Sequence, residues 1–184
     1  MSIVNIRDVT FLNNPARFSD EYQFRVTFEC IAPLKEGKLF LSPTAFSYCF
    51  KRPIFTLPTS YLLDLEWKLI FVSSPDSEQY DQELDDCMVG PVPVGINSFT
   101  FSTPPPEPHK IPKEDVLGVA AVILTASYKD QEFVRVGYYQ NTEYDDPEMN
   151  TAVREQGVKG DIQWHRLVRN LADKPRVTRF SIKW

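Results

Sequence analysis

Short runs in which apolar and polar residues alternate constrain the fold of this chain more than any other feature of its sequence. In Tyr22–Cys30 every second residue is aromatic, aliphatic or cysteine, and the residues between them are polar or charged. Leu65, Trp67, Leu69 and Phe71 repeat the pattern. An alternation with a period of two is typical of a β-strand that buries one face. The chain is therefore predicted to consist largely of short, half-buried strands.

Further strand candidates follow along the chain, separated by turns that are rich in proline or acidic residues. They are Ile3–Leu12, Asn97–Ser102, Leu117–Tyr128, Glu132–Gln140 and Val177–Lys183. About seven to nine short strands with turns between them favour an all-β, antiparallel β-sandwich. Helical spacing occurs at Trp164, Leu167, Val168 and Leu171, which predicts one short helix before the last strand. A length of 184 residues predicts a single domain over residues 1–184.

Composition indicates a globular protein of a reducing compartment. Hydrophobic residues make up 42% of the chain and charged residues 24%, a balance that excludes a disordered polymer. No stretch approaches the roughly 18 apolar residues of a membrane helix, and the first residues lack the features of a signal peptide. Cys30, Cys49 and Cys87 are an odd number at spacings that fit neither a disulfide framework nor a zinc site. We expect a cytosolic or nuclear protein without a membrane segment.

Residues that could carry chemistry are few, and their spacing does not predict a catalytic site. His109 lies in a proline-rich turn and His165 in the candidate helix, and neither stands near a nucleophile or at a metal-ligand spacing. The glycines form no phosphate-binding loop. Carboxylates cluster in Asp81–Asp86 and Glu143–Glu148, where solvated turns are the favoured interpretation. The sequence therefore predicts no enzyme activity, no cofactor and no metal site.

Charge is distributed unevenly along the chain. Residues Thr151–Trp184 contain eight Lys or Arg against three Asp or Glu, so this segment carries +5 and the first 150 residues carry −10. An acidic body repels nucleic acid and attracts basic partners, although from charge alone ordinary solubility is the favoured explanation. Direct binding to nucleic acid is not expected.

Five segments, taken in order, resemble the anti-silencing function family of histone chaperones. They are LNNPARF at Leu12–Phe18, DLEWKL at Asp64–Leu69, VGPVPVG at Val89–Gly95, EFVRVGYYQNTEYD at Glu132–Asp145 and KPRVTRFSIKW at Lys174–Trp184. The resemblance covers Met1–Glu36 and Asp64–Trp184. It implies an elongated immunoglobulin-like β-sandwich and a nuclear, monomeric, non-enzymatic protein. Such a protein would bind one histone H3/H4 dimer, block formation of the H3/H4 tetramer and hand histones over during nucleosome assembly and disassembly.

Gly37–Leu63 interrupts this resemblance. The segment has 27 residues and contains no Asp or Glu, although the chain has 25 of them. Glu36 would be followed by Asp64 in the family. We interpret 37–63 as an insertion, either a long loop or a retained intron, because 27 codons keep the reading frame and a Gly-Lys pair can be encoded by a splice-donor sequence. A mature transcript that carries these codons in most copies would exclude the intron.

The resemblance also implies which residues contact histones. The concave face would present acidic, apolar and basic side chains to the H3 helical surface, and a strand edge near Arg176 would pair with the C-terminal tail of H4. The residues are Asp81, Asp115, Val119, Ala121, Ile123, Arg135, Tyr138, Tyr139 and Arg176. The family usually carries Thr-Val where this chain has Ala120 and Ala121, so the apolar anchor is smaller here. A second surface, formed by Glu36, Asp64 and Asp85, would bind short basic peptides of other histone chaperones.

Residue patterns alone leave alternatives open. Tyr138 and Tyr139 are neighbours on one strand and point to opposite faces, so at least one is expected in the core. Leu117–Leu124 is also typical of a strand buried on both faces. One alternative function is an immunoglobulin-like adaptor that binds extended peptides of a non-histone partner. An enzyme, such as a hydrolase, would require Asp81 or Asp85 to face a cleft with a raised pKa.

Overall fold

Eleven strands and one α-helix make up the part of the chain that the structure, a computed structural model, describes. It describes residues 2–34, 65–74, 77–158 and 160–184, and the backbone alone of 48–50. The strands are β1 (Val4–Phe11), β2 (Ala16–Arg17), β3 (Tyr22–Cys30), β4 (Tyr48–Phe50), β5 (Leu65–Val72), β6 (Gln82–Gly90), β7 (Gly95–Thr103), β8 (Gly118–Tyr128), β9 (Gln131–Tyr144), β10 (Leu167–Leu171) and β11 (Arg176–Arg179). The helix, α1, spans Pro147–Gln156.

The strands form two antiparallel sheets of unequal size. The small sheet has the order β1-β3-β7, and the large sheet has the order β2-β10-β9-β8-β5-β6-β4. Strand β11 also belongs to the large sheet, because it pairs with the first half of β9 while β10 pairs with the second half. The all-β antiparallel sandwich predicted from the sequence is confirmed.

Aromatic side chains from both sheets fill the space between them. Phe28 of β3 lies 5.8 Å, centroid to centroid, from Trp67 of β5, and Trp67 lies 5.1 Å from Phe99 of β7. Tyr22 of β3 donates a hydrogen bond from its hydroxyl to Oε1 of Gln140 in β9, at 2.7 Å. Aromatic pairs at such distances stabilise a core beyond the area that they bury. The small sheet thus covers one face of the large sheet only.

A buried arginine joins β10 to the turn between β2 and β3. The guanidinium group of Arg169 donates to the carbonyl oxygens of Arg17, Phe18, Asp20 and Glu21 at 2.6–3.3 Å. Its Cζ also lies 3.8 Å from the ring centroid of Tyr22, and its side chain is fully buried. Only arginine has a planar set of donors that can reach several carbonyls at once.

The prediction of a helix around Trp164–Leu171 is wrong. Trp164–Arg166 forms a single 3-10 turn, and Leu167–Leu171 is strand β10. The misleading feature is Arg169, which shares the buried face with Leu167 and Leu171 and therefore hides the alternation of a strand.

The helix that does exist, α1, was not predicted because none of its residues is buried. Its signals are at its ends. The side chain of Asp146 accepts a hydrogen bond from the backbone N–H of Glu148 at 2.8 Å, Pro147 occupies the first turn, and Gly157 follows the last turn at φ +74°. An N-cap aspartate, an early proline and a glycine just after the end are the usual boundaries of a helix.

Strand β6 is a third departure from the sequence prediction. Its first residues belong to the carboxylate cluster Asp81–Asp86, which was expected to be a solvated turn, but the strand pairs with β5 along Gln82–Val89. On its other edge β6 pairs with β4, through Met88–Gly90. Apart from the backbone of β4, Gly37–Leu63 lies outside the described residues, as do Glu36 and Asp64.

Replacing Arg169 should destabilise the protein strongly. Arg169→Leu leaves the carbonyl groups of the β2–β3 turn without their donors, so we expect the free energy of unfolding to fall by about 2–4 kcal/mol. Arg169→Lys should also lose stability, because a single ammonium group cannot replace the planar set of donors. Urea denaturation measures both effects. Arg154→Leu, at an exposed position of α1, is the control, and a loss there as large as at Arg169 would contradict the prediction.

Candidate protein-binding surface

The face of the large sheet turned away from the small sheet, which we call the outer face, has an apolar centre. Val119, Ala121 and Ile123 alternate along β8 toward this face, while the residues between them are buried in the core. Ala121 pairs with Tyr139 of β9. Val119 is 65% exposed and Tyr139 is 59% exposed. We call these four residues the apolar strip.

Strand β5 widens the apolar strip on its other side. Val72 pairs with Ala121, and Ile70 pairs with Ile123. Both β5 side chains are half-buried and alternate with the core residues of β5. Neither was predicted as a site residue. The alternation in β5 identified them as outward-facing, but only its pairing with β8 places them beside the strip.

Two aspartates lie at one end of the outer face. Asp81 directly precedes Gln82, which pairs with Phe71, and the next residue of β5 is Val72. Asp115 lies in the 3-10 turn Lys113–Asp115, shortly before β8 begins. Partial burial, followed by the charge of Glu78, raises the pKa of Asp81 above its ordinary value. We call Asp81 and Asp115 the acidic end.

Arginines lie at the opposite end of the outer face. Arg135 pairs with Thr125, toward the last residues of β8. Its guanidinium group forms two hydrogen bonds to the carboxylate of Glu132, at 2.9 and 3.0 Å, and lies 5.9 Å from the ring centroid of Phe180. The hydrogen bonds to Glu132 raise the pKa of Arg135. Arg135 is therefore held in place before any partner binds.

Arg176 stands in β11 at the side of the same end. It pairs with Gly137, which in turn pairs with Ile123, so one row of the sheet joins Arg176 to the apolar strip. All four residues of β11 are exposed, and within the described residues β11 pairs with β9 alone. Its outer edge thus offers backbone groups for another strand. We call Arg135 and Arg176 the basic end.

The chain's last residues hold β11 against the core. The Trp184 ring stacks on Tyr128 at 5.6 Å and contacts Phe133 at 5.0 Å. The backbone N–H of Phe180 also donates to the carbonyl of Phe133 at 2.9 Å. These contacts keep the edge strand in position.

Tyr138 does not belong to the outer face. It is 4% exposed and points into the sandwich, where its hydroxyl donates to the carbonyl oxygen of Val9 at 2.9 Å. Its ring meets Phe11 edge to face at 5.0 Å, and burial raises its pKa to about 12. The prediction that Tyr138 contacts histones directly is therefore corrected, because Tyr138 is a core residue. Of the two tyrosines, only Tyr139 faces outward.

Of the three residues predicted to bind peptides, the structure describes Asp85 alone. Asp85 lies in β6 opposite Leu69 and accepts a hydrogen bond from the backbone N–H of Asp86 at 3.0 Å. Asp85 lies on β6, which pairs with β4 on one side and with β5 on the other. Strand β5 therefore stands between Asp85 and the apolar strip of β8 and β9. Asp85 therefore does not lie beside the apolar strip.

Other kinds of site are not found in the parts of the chain that the structure describes. There, no group of His, Cys, Asp or Glu is arranged to hold a metal ion. The described helix is too short and too polar to span a membrane. Cys30 and Cys87 are buried free thiols. Asp81 is exposed at the rim of a sheet rather than inside a cleft, so its raised pKa does not define an active site.

An exposed apolar strip between oppositely charged ends, beside an open edge strand, defines a protein-binding β-sandwich. The comparison with known families agrees. The model of the family described as "ASF1 like histone chaperone" matches residues 1–40 and 40–184. This chain belongs to the ASF1-like histone chaperone family, which is a family of chaperones and not of enzymes. The two matched parts meet at residue 40, inside the segment 37–63 that interrupts the resemblance.

Fungal proteins named histone chaperone ASF1 are similar to the whole chain. The protein of Mycosarcoma maydis is 49% identical, and the alignment covers all of this chain and 88% of that protein. Those of Chaetomium globosum and Candida albicans are 44% and 46% identical over all of this chain. The chain spans 55% and 62% of the length of these two relatives.

The two tyrosines should separate stability from surface properties. Tyr138→Phe removes the hydrogen bond to Val9, so the free energy of unfolding should fall by about 1 kcal/mol. Tyr139→Phe is the matched control, and both Tyr139→Phe and Tyr139→Ala should change stability by less than about 0.5 kcal/mol because this side chain is exposed. Urea denaturation of the three variants tests this. A larger loss for Tyr139→Phe than for Tyr138→Phe would reverse the assignment of faces.

Proposed function

We propose that this protein binds one histone H3/H4 dimer on its outer face, blocks H3/H4 tetramer formation and hands histones over during nucleosome assembly and disassembly. The observation that carries the proposal is the order of side chains along the outer face, where the apolar strip lies between the acidic end and the basic end. Membership of a histone chaperone family supports a histone as the partner. The four residues of the apolar strip would contact the H3 helical surface.

A helix fits this surface for simple reasons. Strands are about 4.8 Å apart, so the rows from Val72 through Ala121 to Tyr139 offer a band roughly as wide as one helix. Apolar residues on one helix face would cover the strip, and histone Arg or Lys side chains would meet the acidic end. Because a bound chaperone covers that helix, a second dimer could not pair through the same surface.

A second contact follows from the open edge of β11. Backbone pairing with an extended segment would supply affinity there, and the side chain of Arg176 stands beside it. The C-terminal tail of H4 is the segment we propose. Because β11 is basic, its contact with a basic histone would rest on backbone pairing and shape rather than on charge attraction.

Ala121 should weaken the central contact. The family resemblance implies a larger anchor at this position, and the lost burial would cost roughly 1–2 kcal/mol of binding. The fold would not suffer, because Ala121 faces away from the core. Val119 and Tyr139 remain as the large exposed apolar residues of the strip.

Other partners and location are part of the proposal. We propose that Glu36, Asp64 and Asp85 bind short basic peptides of other histone chaperones; of these residues, Asp85 lies in β6. The protein would act in the nucleus as a monomer and would not bind DNA directly, since the first 150 residues carry −10. Imaging of a tagged protein tests its location, and a cytosolic signal through the cell cycle would exclude it.

Sedimentation with purified H3/H4 at moderately high salt tests the proposal, because salt screens non-specific attraction. We expect a complex of one chain with one H3/H4 dimer. Histones that sediment as free tetramers in the presence of this chain would exclude the proposed function, whatever the fold.

Two substitutions on the outer face should abolish this complex. Asp115→Arg reverses a charge of the acidic end, and Ala121→Arg places a charged side chain on the apolar strip. Ala121 faces away from the core and Asp115 lies in a turn before β8, so the melting temperature should change little. Thr100→Arg, on the exposed side of the small sheet, is the control and should bind normally. Unchanged affinity in both outer-face variants would exclude the assigned site while leaving the function open.

Acidification should weaken histone binding partly through Asp81. Its raised pKa means that it loses its charge at a higher pH than an ordinary aspartate. Because the folded pKa exceeds the unfolded one, protonation favours the folded state, so stability gains from Asp81 as the pH falls while attraction to basic residues is lost. Affinity measured from about pH 7 to about pH 5 should fall less steeply for Asp81→Asn. Parallel curves for the two proteins would contradict this role.

A further inference from the structure

A depression lies beside the apolar strip, at the edge of β9. Its volume is about 210 Å³, and its walls include Val119, Tyr139, Asn141, Asn170, Leu171 and Ala172. Two of these, Val119 and Tyr139, also belong to the apolar strip. The depression is therefore continuous with the outer face and is not a separate cavity elsewhere on the molecule.

The depression exists because two strands share one edge of β9. Strand β10 ends with Leu171 opposite Gln140, and the N–H of Ala172 donates to the carbonyl of Tyr139 at 2.8 Å. The next paired residue is Arg176, opposite Gly137. Between these points the chain leaves the sheet, so no paired strand residue stands beside Tyr139 on that side.

A pair of amide side chains borders the depression. Asn170 of β10 stands directly opposite Asn141 of β9, and Asn141 stands opposite Val119 of β8. Both asparagines are exposed on the outer face. In the described part of the chain neither side chain makes a hydrogen bond to another protein group. Each can donate two hydrogen bonds and accept others.

We infer that the depression and these two asparagines form an anchor site for the histone partner, which takes one aliphatic side chain and hydrogen-bonds the main chain next to it. This inference rests on the proposed function and adds a specific contact to it. The walls carry no charged side chain, so a lysine, an arginine or a phosphate group would lose hydration there without gaining an ion pair.

The amide pair identifies the rest of the occupant. Neutral amides match main-chain N–H and C=O groups, and such groups are left unpaired at the end of a helix or in the loop beyond it. The end of a histone helix that carries an aliphatic residue supplies both the apolar side chain and the unpaired main-chain groups within one turn. A helix that runs along the apolar strip would have one end near Val119, and the two asparagines stand in the same row of the sheet.

This anchor would offset the small size of Ala121. Burial lost at the centre of the strip can be recovered at its side, because binding energy tends to concentrate in a few well-packed positions. The affinity of this protein for H3/H4 would then depend on Asn141, Asn170 and Ala172 more than on Ala121.

Two substitutions test the site by independent means. Ala172→Phe fills the depression from an exposed position, and Asn170→Asp replaces the amide donor with a carboxylate that repels main-chain carbonyls. We expect each to lower H3/H4 affinity about tenfold, as measured by fluorescence titration at moderately high salt. Gln23→Glu makes the matched amide-to-acid change on the exposed side of β3 and should leave affinity unchanged.

The outcomes distinguish the inference from the proposed function. If Ala172→Phe and Asn170→Asp bind as the unmodified chain does while Ala121→Arg does not bind, the anchor site is excluded and the proposed function stands. If the unmodified chain itself fails to bind H3/H4, the proposed function fails first. Loss of affinity in Gln23→Glu equal to that in Asn170→Asp would also overturn the inference, since the effect would then be one of net charge.

Discussion

The unequal size of the two sheets is the constraint on which the rest of the structure depends. Three strands, β1, β3 and β7, cover one face of a sheet that has eight. Aromatic side chains such as Phe28 and Trp67 fill the space between the sheets. Because a strand turns successive side chains to opposite faces, the core residues Ala120 and Val122 of β8 and Tyr138 of β9 place their neighbours on the uncovered side. The outer face is thus a direct consequence of how the core is packed.

Strand β9 shows how closely the core and the surface are joined. The Tyr138 hydroxyl donates a hydrogen bond to the carbonyl oxygen of Val9 in the small sheet, whereas Tyr139 lies on the opposite side of the large sheet, paired with Ala121. The two residues are chemically alike and adjacent, yet one contributes to folding and the other to the surface. Stability and binding can therefore change independently, although they depend on the same strand.

Alternation predicted strands correctly where the buried face is purely apolar, as in β3 and β5. In β8 the apolar run Leu117–Leu124 suggested burial on both faces, but Val119 is exposed on the outer face. Alternation failed where a charged residue takes a core position. The guanidinium group of Arg169 donates hydrogen bonds to four carbonyl groups that lie about 150 positions earlier in the chain. A local sequence pattern cannot predict partners at that separation. The prediction of a turn at Asp81–Asp86 failed for a related reason. Carboxylates there suggested a solvated turn, but a strand near the edge of a sheet can also carry exposed carboxylates. Family resemblance supplied most of the candidate site residues, but only the pairing of strands added Ile70 and Val72, and only its burial in the core removed Tyr138.

In the proposed complex, the charges at the two ends of the outer face would determine the orientation of the partner more than the strength of binding. Exposed ion pairs contribute little net affinity, because water and salt screen them. An acidic end and a basic end on one face, however, favour a partner whose own charges run in the opposite sense and disfavour the reversed arrangement. Glu132 already neutralises part of the charge of Arg135 and holds it in place, so little side-chain freedom is lost when a partner arrives. Affinity would then come from the apolar strip and the depression beside it, and the charged ends would ensure that the correct surface reaches them.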